Sequence, residues 1–352
     1  PACRHFGECG GCTLQHMAPV PYAAFKREQI IRTLSARGLD AEVTQTWVTP
    51  AGSRRRAALS ARRESNQVRL GFHARKSHAL VAIAECKVLR PAIVAALPKL
   101  REIAGYLISG KEEIGLLVTE TASGLDLHAS GLAGETKPLA RAEAASAALR
   151  AGFARMSIEG GDVLTDRRPS LPAGAANLMP PPGGFLQASA EAEAEMERIV
   201  REHLKFSSRV ADLFSGCGTF ALRLAAESRV LAVEGNAAAI EALKESARVA
   251  PGLKPVEAQV RDLFRNPVSA AELARFDGVV LDPPRAGAEA QVREIAKSGI
   301  RRVAYVSCEP ATLARDLRTL VDGGYSILRI HPIDQFLWSA HVEAVALLEK
   351  PA

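Results

Sequence analysis

The chain has 352 residues, 47% of them hydrophobic and 24% charged, which suits a globular protein with room for two domains. No apolar run approaches the roughly 20 residues of a membrane span, and the opening PACRHFGECGGC has no apolar signal region, so the cytoplasm is expected and a membrane partner is not. The net charge of +6 favours a polyanionic partner, and six cysteines in a reducing compartment point to metal or catalysis rather than disulfides.

Cys3, Cys9 and Cys12 have the spacing C-x5-C-x2-C, and Cys86 follows far along in AECKVL. Four thiolates can close a tetrahedral site that zinc or a [4Fe–4S] cluster accepts. Zinc ligands come mostly as two short pairs, whereas three close thiolates with a distant fourth favour the cluster. An enclosed four-thiolate site has no open position for chemistry, so its expected role is structural or RNA-organising. Pro21 to Gly38 reads as a helix with Phe25, Ile30, Ile31 and Leu34 on one side and Gly38 as its stop.

From Ser53 to Val88 the alternation in ALSARRE, QVRLGFHA and HALVAIAEC predicts antiparallel strands, with turns around Glu64–Asn66 and Arg75–Ser77. Between Arg54 and Lys76, the residues Arg54, Arg55, Arg56, Arg62, Arg63, Arg69, Arg75 and Lys76 stand against a single acid, Glu64. Such a hairpin is expected to track an RNA backbone; the plainer alternative is a sheet edge protected by charge. Ile114 to Leu127 reads as another strand pair and Leu139 to Arg150 as a helix. Gly160 to Gly184, with five prolines and five glycines, reads as a loop. The domain boundary is placed at its end, giving a smaller α+β domain over 1–184 and a second domain over 185–352.

From Arg209 onward short apolar runs (RVADLF, RVLAVE, DGVVLD, RVAYVS) alternate with helical text, the pattern of a doubly wound α/β domain with a mostly parallel sheet. SILRIHPID and HVEAVALLEK suggest two last strands, possible antiparallel additions. After the first strand, Gly216 and Gly218 in DLFSGCGTF permit a tight turn close to a ligand, and Glu234 at the end of the second can accept the hydroxyls of a ribose. A dinucleotide enzyme could use the same turn, but D-x-F-x-G-x-G favours S-adenosylmethionine. Asp262, after the third strand, could reach an adenine amine or cap a turn in RDLF. Asp282 closes the fourth strand in LDPPRAG, whose prolines stiffen the loop. Cys308 then follows the strand VAYVS at the carboxyl edge of the sheet, next to a helix N-terminus marked by Pro310, where a thiol can have a lowered pKa and act as a nucleophile. Alone, it reads equally as a small buried apolar residue.

Together, DLFSGCGTF, LDPPRAG, VSCEP and HVEAVALLE resemble the RNA uracil-5-methyltransferase family, and the four-cysteine pattern resembles its iron–sulfur branch, which includes bacterial 23S ribosomal RNA enzymes. The resemblance runs from Cys3 to the C-terminus. It implies a Rossmann-like S-adenosylmethionine-dependent methyltransferase domain, with Cys308 as nucleophile on C6 of a uracil and Glu343 as the base that removes the C5 proton. It also places Gln187, Phe214, Thr219, Glu234, Asp262 and Asp282 at cofactor-binding positions, and Cys3, Cys9, Cys12 and Cys86 as ligands of a [4Fe–4S] cluster. The implied partner is RNA, foremost 23S ribosomal RNA. Phe185 is a candidate to stack on the target base. The family commonly has Asn where Thr219 and Ser189 stand, and often where Glu309 follows Cys308. Transfer RNA is the competing substrate, although relatives acting on it generally lack the four cysteines. An inactive iron–sulfur RNA-binding protein is the competing class.

Overall fold

The computed structural model describes residues 1–132 and 137–351. Helix α1 (Pro19–Ser35) starts with proline in its first turn and buries Tyr22, Lys26, Ile30 and Leu34. It ends slightly earlier than Gly38 because Gly38 takes a left-handed φ of 64° and the Leu39 N–H returns to the Leu34 carbonyl, a Schellman-type stop. Strand β1 (Trp47–Val48) follows. The arginine-rich stretch then forms the antiparallel strands β2 (Arg56–Glu64), β3 (Gln67–His73) and β4 (Leu80–Ala82), with turns at the expected places.

Helix α2 (Pro91–Leu107) has no counterpart in the sequence reading, although Ile93, Leu97, Leu100, Ala104 and Leu107 recur every three or four residues and are buried. Strands β5 (Glu113–Thr121) and β6 (Gly124–Ser130) form the expected pair, helix α3 (Pro138–Arg150) crosses over, and β7 (Arg155–Ile158) lies parallel to β6. The expectation of a loop over 160–184 is corrected: this stretch holds β8 (Gly161–Thr165), paired with β7, and a two-stranded ribbon of β9 (Leu171–Ala173) and β10 (Ala176–Leu178). Pro172 is tolerated because a two-stranded ribbon has free edges, and Gly174, at φ 67°, turns it. The first sheet has the order β4-β3-β2-β5-β6-β7-β8, with α2 and α3 contributing to its core.

Helix α4 (Ala190–Leu204) is capped by Ser189, whose hydroxyl accepts the Ala192 N–H at 3.3 Å. Next come β11 (Arg209–Leu213), α5 (Ala221–Leu224), β12 (Arg229–Glu234), α6 (Ala237–Val249), β13 (Val256–Val260) and α7 (Ala270–Leu273). The chain finishes with β14 (Gly278–Leu281), α8 (Glu289–Lys297), β15 (Arg302–Ser307), α9 (Pro310–Asp322), β16 (Ser326–Asp334) and β17 (Glu343–Glu349). The second sheet runs β1-β16-β17-β15-β14-β11-β12-β13. The β11, β12, β13, β14 and β15 pairings are parallel, and β17 runs antiparallel to both its neighbours. Runs such as GVVL in β14 are buried on both faces, as central parallel strands require.

Chain order reverses at β11, which lies between β12 and β14, so the crevice at the carboxyl ends of these strands is the topological switch point. Sheet membership cuts across a division at residue 184. Ile30 and Leu34 of α1 join the core of the second sheet, and β1 pairs with β16 through Trp47 with Ile333 and Val48 with Asp334. Among the described residues no helix is long and apolar enough to cross a membrane.

Candidate active site

Strand pairing brings together two residues 35 positions apart, Cys308 and Glu343. In the antiparallel β15–β17 ladder Ser307 pairs with Ala344. One further step along that register sets Cys308 against Glu343 at the carboxyl end of β15. Asp282 leaves β14 beside them, its N–H donating to the Leu213 carbonyl at 3.2 Å. Glu343 is buried and Cys308 half-buried.

The expected lowering of the Cys308 pKa is not found: the thiol is pushed up to about 11. Burial is the main cause, and the negative charges of Glu343 and Asp282 add to it, while Arg285 opposes them. A helix N-terminus does not outweigh two carboxylates in a dry site. Burial also raises Glu343 to about 7, against the hydrogen bond it accepts from Gln335. Asp282 is pushed well above the carboxylate range by burial and then by Glu343 and Asp212. The two carboxylates share a hydrogen-bonded chain. The Gln335 amide donates to Glu343 at 2.6 Å and to the Gln187 oxygen at 2.8 Å, and the Gln187 amide donates to Asp282 at 2.9 Å. The sequence gives little sign of Gln335 beyond a polar residue directly after Asp334, where β16 ends.

The turn after β11 is shaped for a ligand. Phe214, Gly216 and Gly218 all have positive φ, at 61°, 53° and 97°. A Cβ on Gly218 would lie 2.9 Å from Leu243, whereas one on Gly216 would meet nothing within 4 Å, so Gly216 faces open space. A non-glycine residue held at positive φ, as Phe214 is, marks stored strain at a functional turn. Thr219 follows, half-buried. Glu234 accepts the Gly216 N–H at 3.1 Å and the Asn236 N–H at 2.8 Å, which fixes its carboxylate at the end of β12. Beneath the turn Asp212 is fully buried, neither carboxylate oxygen has a hydrogen-bond partner, and burial raises it to about 7. Asp262 is exposed and caps its own turn through the Phe264 N–H at 2.9 Å. Phe264, also missed in the sequence, packs on Phe214 with ring centroids 5.4 Å apart, so the pair walls the same edge. These groups suit a ribose diol and a flat base in the crevice.

Cys3, Cys9, Cys12 and Cys86 line one cavity of about 610 Å³, and all four thiols are free. Burial raises the Cys9, Cys12 and Cys86 thiols, Cys12 to about 11, with mutual repulsion adding to it. Gly10 is required where its loop crosses the end of β3, since a Cβ there would lie 2.7 Å from the His73 carbonyl. Among the described residues no three His, Cys, Asp or Glu side chains are gathered tightly enough to hold a metal ion. Four free thiols around one cavity are the donor set that a zinc ion or an iron–sulfur cluster would use. The cysteine loop also grips the segment leading to Glu343: the Thr13 and Leu14 N–H groups donate to the Trp338 carbonyl at 2.8 and 2.9 Å.

Within the arginine-rich hairpin expected to track RNA, many guanidinium groups are engaged inside the chain. Arg55 is buried against Glu193 and the Gln187 carbonyl. Arg54 turns back to the Arg56 carbonyl, and Arg56 reaches the Gly184 carbonyl. Arg62 and Arg69 share Glu64, and Arg63 binds the Gly105 and Ile108 carbonyls at the end of α2. Arginine forks satisfy carbonyls that helix ends and loops leave over, which local charge counting does not see. Arg75 and Lys76 stay exposed at the β3–β4 turn. Phe185 is 65% exposed beside the site, with the Arg56 guanidinium 5.4 Å from its ring centroid.

Residues 180–351 match the family model described as tRNA (Uracil-5-)-methyltransferase. An RNA methyltransferase of Mesorhizobium japonicum is 49% identical over 353 residues, covering 100% of this chain and 84% of that protein. The 23S rRNA (uracil(1939)-C(5))-methyltransferase of Halomonas elongata is 37% identical over 378 residues, covering 100% of this chain and 77% of the relative. The crystal structure of Pyrococcus abyssi tRNA (uracil-54, C5)-methyltransferase in complex with S-adenosyl-L-homocysteine superimposes with a TM-score of 0.75 at 24% identity. It covers 97% of this chain and 86% of that one, a likeness of fold.

Proposed function

The chain belongs to the RNA uracil-5-methyltransferase family and is an RNA methyltransferase, and from that premise we propose that it methylates C5 of a uridine in 23S ribosomal RNA through a covalent adduct on Cys308. The observation that carries the mechanism is the convergence of Cys308, Glu343 and Asp282 at one sheet edge, set by the pairing of Ser307 with Ala344. The likeness to the Halomonas elongata enzyme over the whole of this chain supports the choice of 23S RNA.

S-adenosylmethionine, when bound, supplies the methyl group and a positive sulfonium. Gln187, Phe214, Gly216, Gly218, Thr219, Glu234, Asp262 and Asp282 are the residues proposed to hold it, with Glu234 on the ribose and Asp262 beside the adenine. C5 of uracil is a poor nucleophile. Addition of the Cys308 sulfur to C6, with the thiol proton lost to solvent, turns C5 into an enolate carbon that can take the methyl group. Glu343 then removes the C5 proton, the C5–C6 double bond re-forms, and the Cys308 thiolate leaves. A carboxylate near pH 7 in its titration is suited to accept that proton.

Cys3, Cys9, Cys12 and Cys86 are proposed to hold a [4Fe–4S] cluster that organises the loop in front of Glu343. Residues 1–184 would carry the cluster and reach RNA through Arg75 and Lys76, with Phe185 of the second domain as the stacking candidate. The test is mass mapping of RNA from cells with and without the gene. Loss of one 5-methyluridine from 23S RNA is the expected result. Loss from transfer RNA instead would keep the reaction and overturn the substrate.

A further inference from the structure

Strand β16 ends at Asp334 and passes directly into Gln335, which is 2% exposed and therefore out of reach of RNA. The orientation of its amide is fixed by a group that can only donate: the Ala188 N–H lies 3.0 Å from Gln335 Oε1. Nε2 must then face the other way, and its two hydrogens go to Gln187 Oε1 at 2.8 Å and Glu343 Oε2 at 2.6 Å. With its oxygen so occupied, Gln187 presents its own Nε2 to Asp282 at 2.9 Å. Each amide in the chain donates toward a carboxylate, and the order cannot be reversed without setting a donor against the Ala188 N–H.

The backbone under Gln335 is held by helix α1. Asp334 accepts from Lys26 Nζ at 2.8 Å and from the Tyr22 hydroxyl, all three residues being buried, and Tyr22 in turn accepts the Trp338 N–H at 2.7 Å. A buried pair of this kind tolerates little displacement. Helix α1 thus pins the residue immediately before Gln335.

We propose that Gln335 is a positioning residue of the reaction: its amide holds Glu343 as an aimed, ionised acceptor and couples it through Gln187 to Asp282. The inference rests on the reading of Glu343 as the base. The titratable groups facing Glu343 are Asp282 from the loop after β14 and the Cys308 thiol just past β15, with Arg285 beyond Cys308, and Asp212 and Glu193 acting on Asp282. No cation among the described residues is paired with Glu343, so Gln335 is the group that favours its charged form.

The test is single-turnover kinetics of the full-length loaded enzyme with RNA, following formation and decay of the protein–RNA adduct from pH 6 to 9. A hydrogen bond to an ionised group is equivalent to about one pKa unit or more, so Gln335→Met should slow adduct decay about tenfold at pH 6.5 and under about twofold at pH 9. Adduct formation should stay within about twofold of the parent enzyme. Gln335→Glu keeps an acceptor for the Ala188 N–H but removes both donated hydrogens, and should shift the profile at least as far. Equal slowing of formation and decay at every pH, in either variant, would reduce Gln335 to packing and overturn the proposal. Glu343→Gln separates the two ideas. If its adduct decays freely, the base reading fails; if it is trapped while the Gln335 variants keep the parent profile, only the present inference fails.

Discussion

At the carboxyl edge of the second sheet Asp282, Cys308 and Glu343 lie together, and among the described residues none of the three is matched to a cation by direct contact. Along β2 and the turn before it, arginines that pass through a comparably enclosed region each find a partner. Arg55 meets Glu193, and Arg54, Arg56 and Arg63 meet carbonyls. The difference separates charge used for architecture from charge kept available. A matched buried ion keeps its protonation state across the working range and ties elements together. Unmatched buried acids move toward neutrality and can exchange a proton during a reaction.

The contrast can be broken most severely at the edge itself. Cys308→Ala should lower methyl transfer by about 10⁴-fold or more and abolish the adduct, read by radiolabelled methyl incorporation and denaturing gels. Glu343→Gln should slow adduct resolution by about 10²- to 10⁴-fold, so that a methylated adduct accumulates. On the architectural side, Arg55→Ala strands Glu193 in a buried site with only Arg223 left to it. The expected loss is about 3 kcal/mol of unfolding free energy in urea, with the nucleophile and base still in place.

A pH series sharpens the same distinction. Glu343 has its pKa raised on folding from an ordinary 4.5 to about 7, so the native state holds a proton that the unfolded chain has already released. The corresponding stability is fully present below pH 4.5 and is lost as pH rises to about 7. The Glu343→Gln variant should therefore gain in Tm relative to the parent across that window and keep the advantage at pH 8. The smallest effect is expected at the two basic residues left exposed. Arg75→Ala with Lys76→Ala should weaken RNA binding about threefold to tenfold and flatten its salt dependence by about one to two counterions, without moving Tm.

The second sheet was largely legible because β11, β12, β14 and β15 are short apolar runs and several candidate site residues stand at their ends. Asp282, Cys308 and Glu234 stand immediately at strand ends, where residue position and spatial position coincide. Helices α2 and α4 were within reach of the three-and-four spacing and were passed over, α2 in part because Pro98 lies inside it. What the sequence could not carry was partnership at long range. Arg55 with Glu193 spans 138 positions and Gln335 with Gln187 spans 148, and neither residue type announces its partner. The raised Cys308 thiol has the same origin: the helix behind it is local, whereas the burial that dominates its shift, and the two carboxylates that add to it, come from segments distant in the chain.

The most direct test of the account is digestion and mass spectrometry of the species formed when the Glu343→Gln protein meets unmethylated 23S RNA and S-adenosylmethionine. The expected product is a Cys308 peptide joined through sulfur to C6 of a uridine that already carries a methyl group on C5. Free 5-methyluridine released at the parent rate, with Cys308 unmodified, would contradict it.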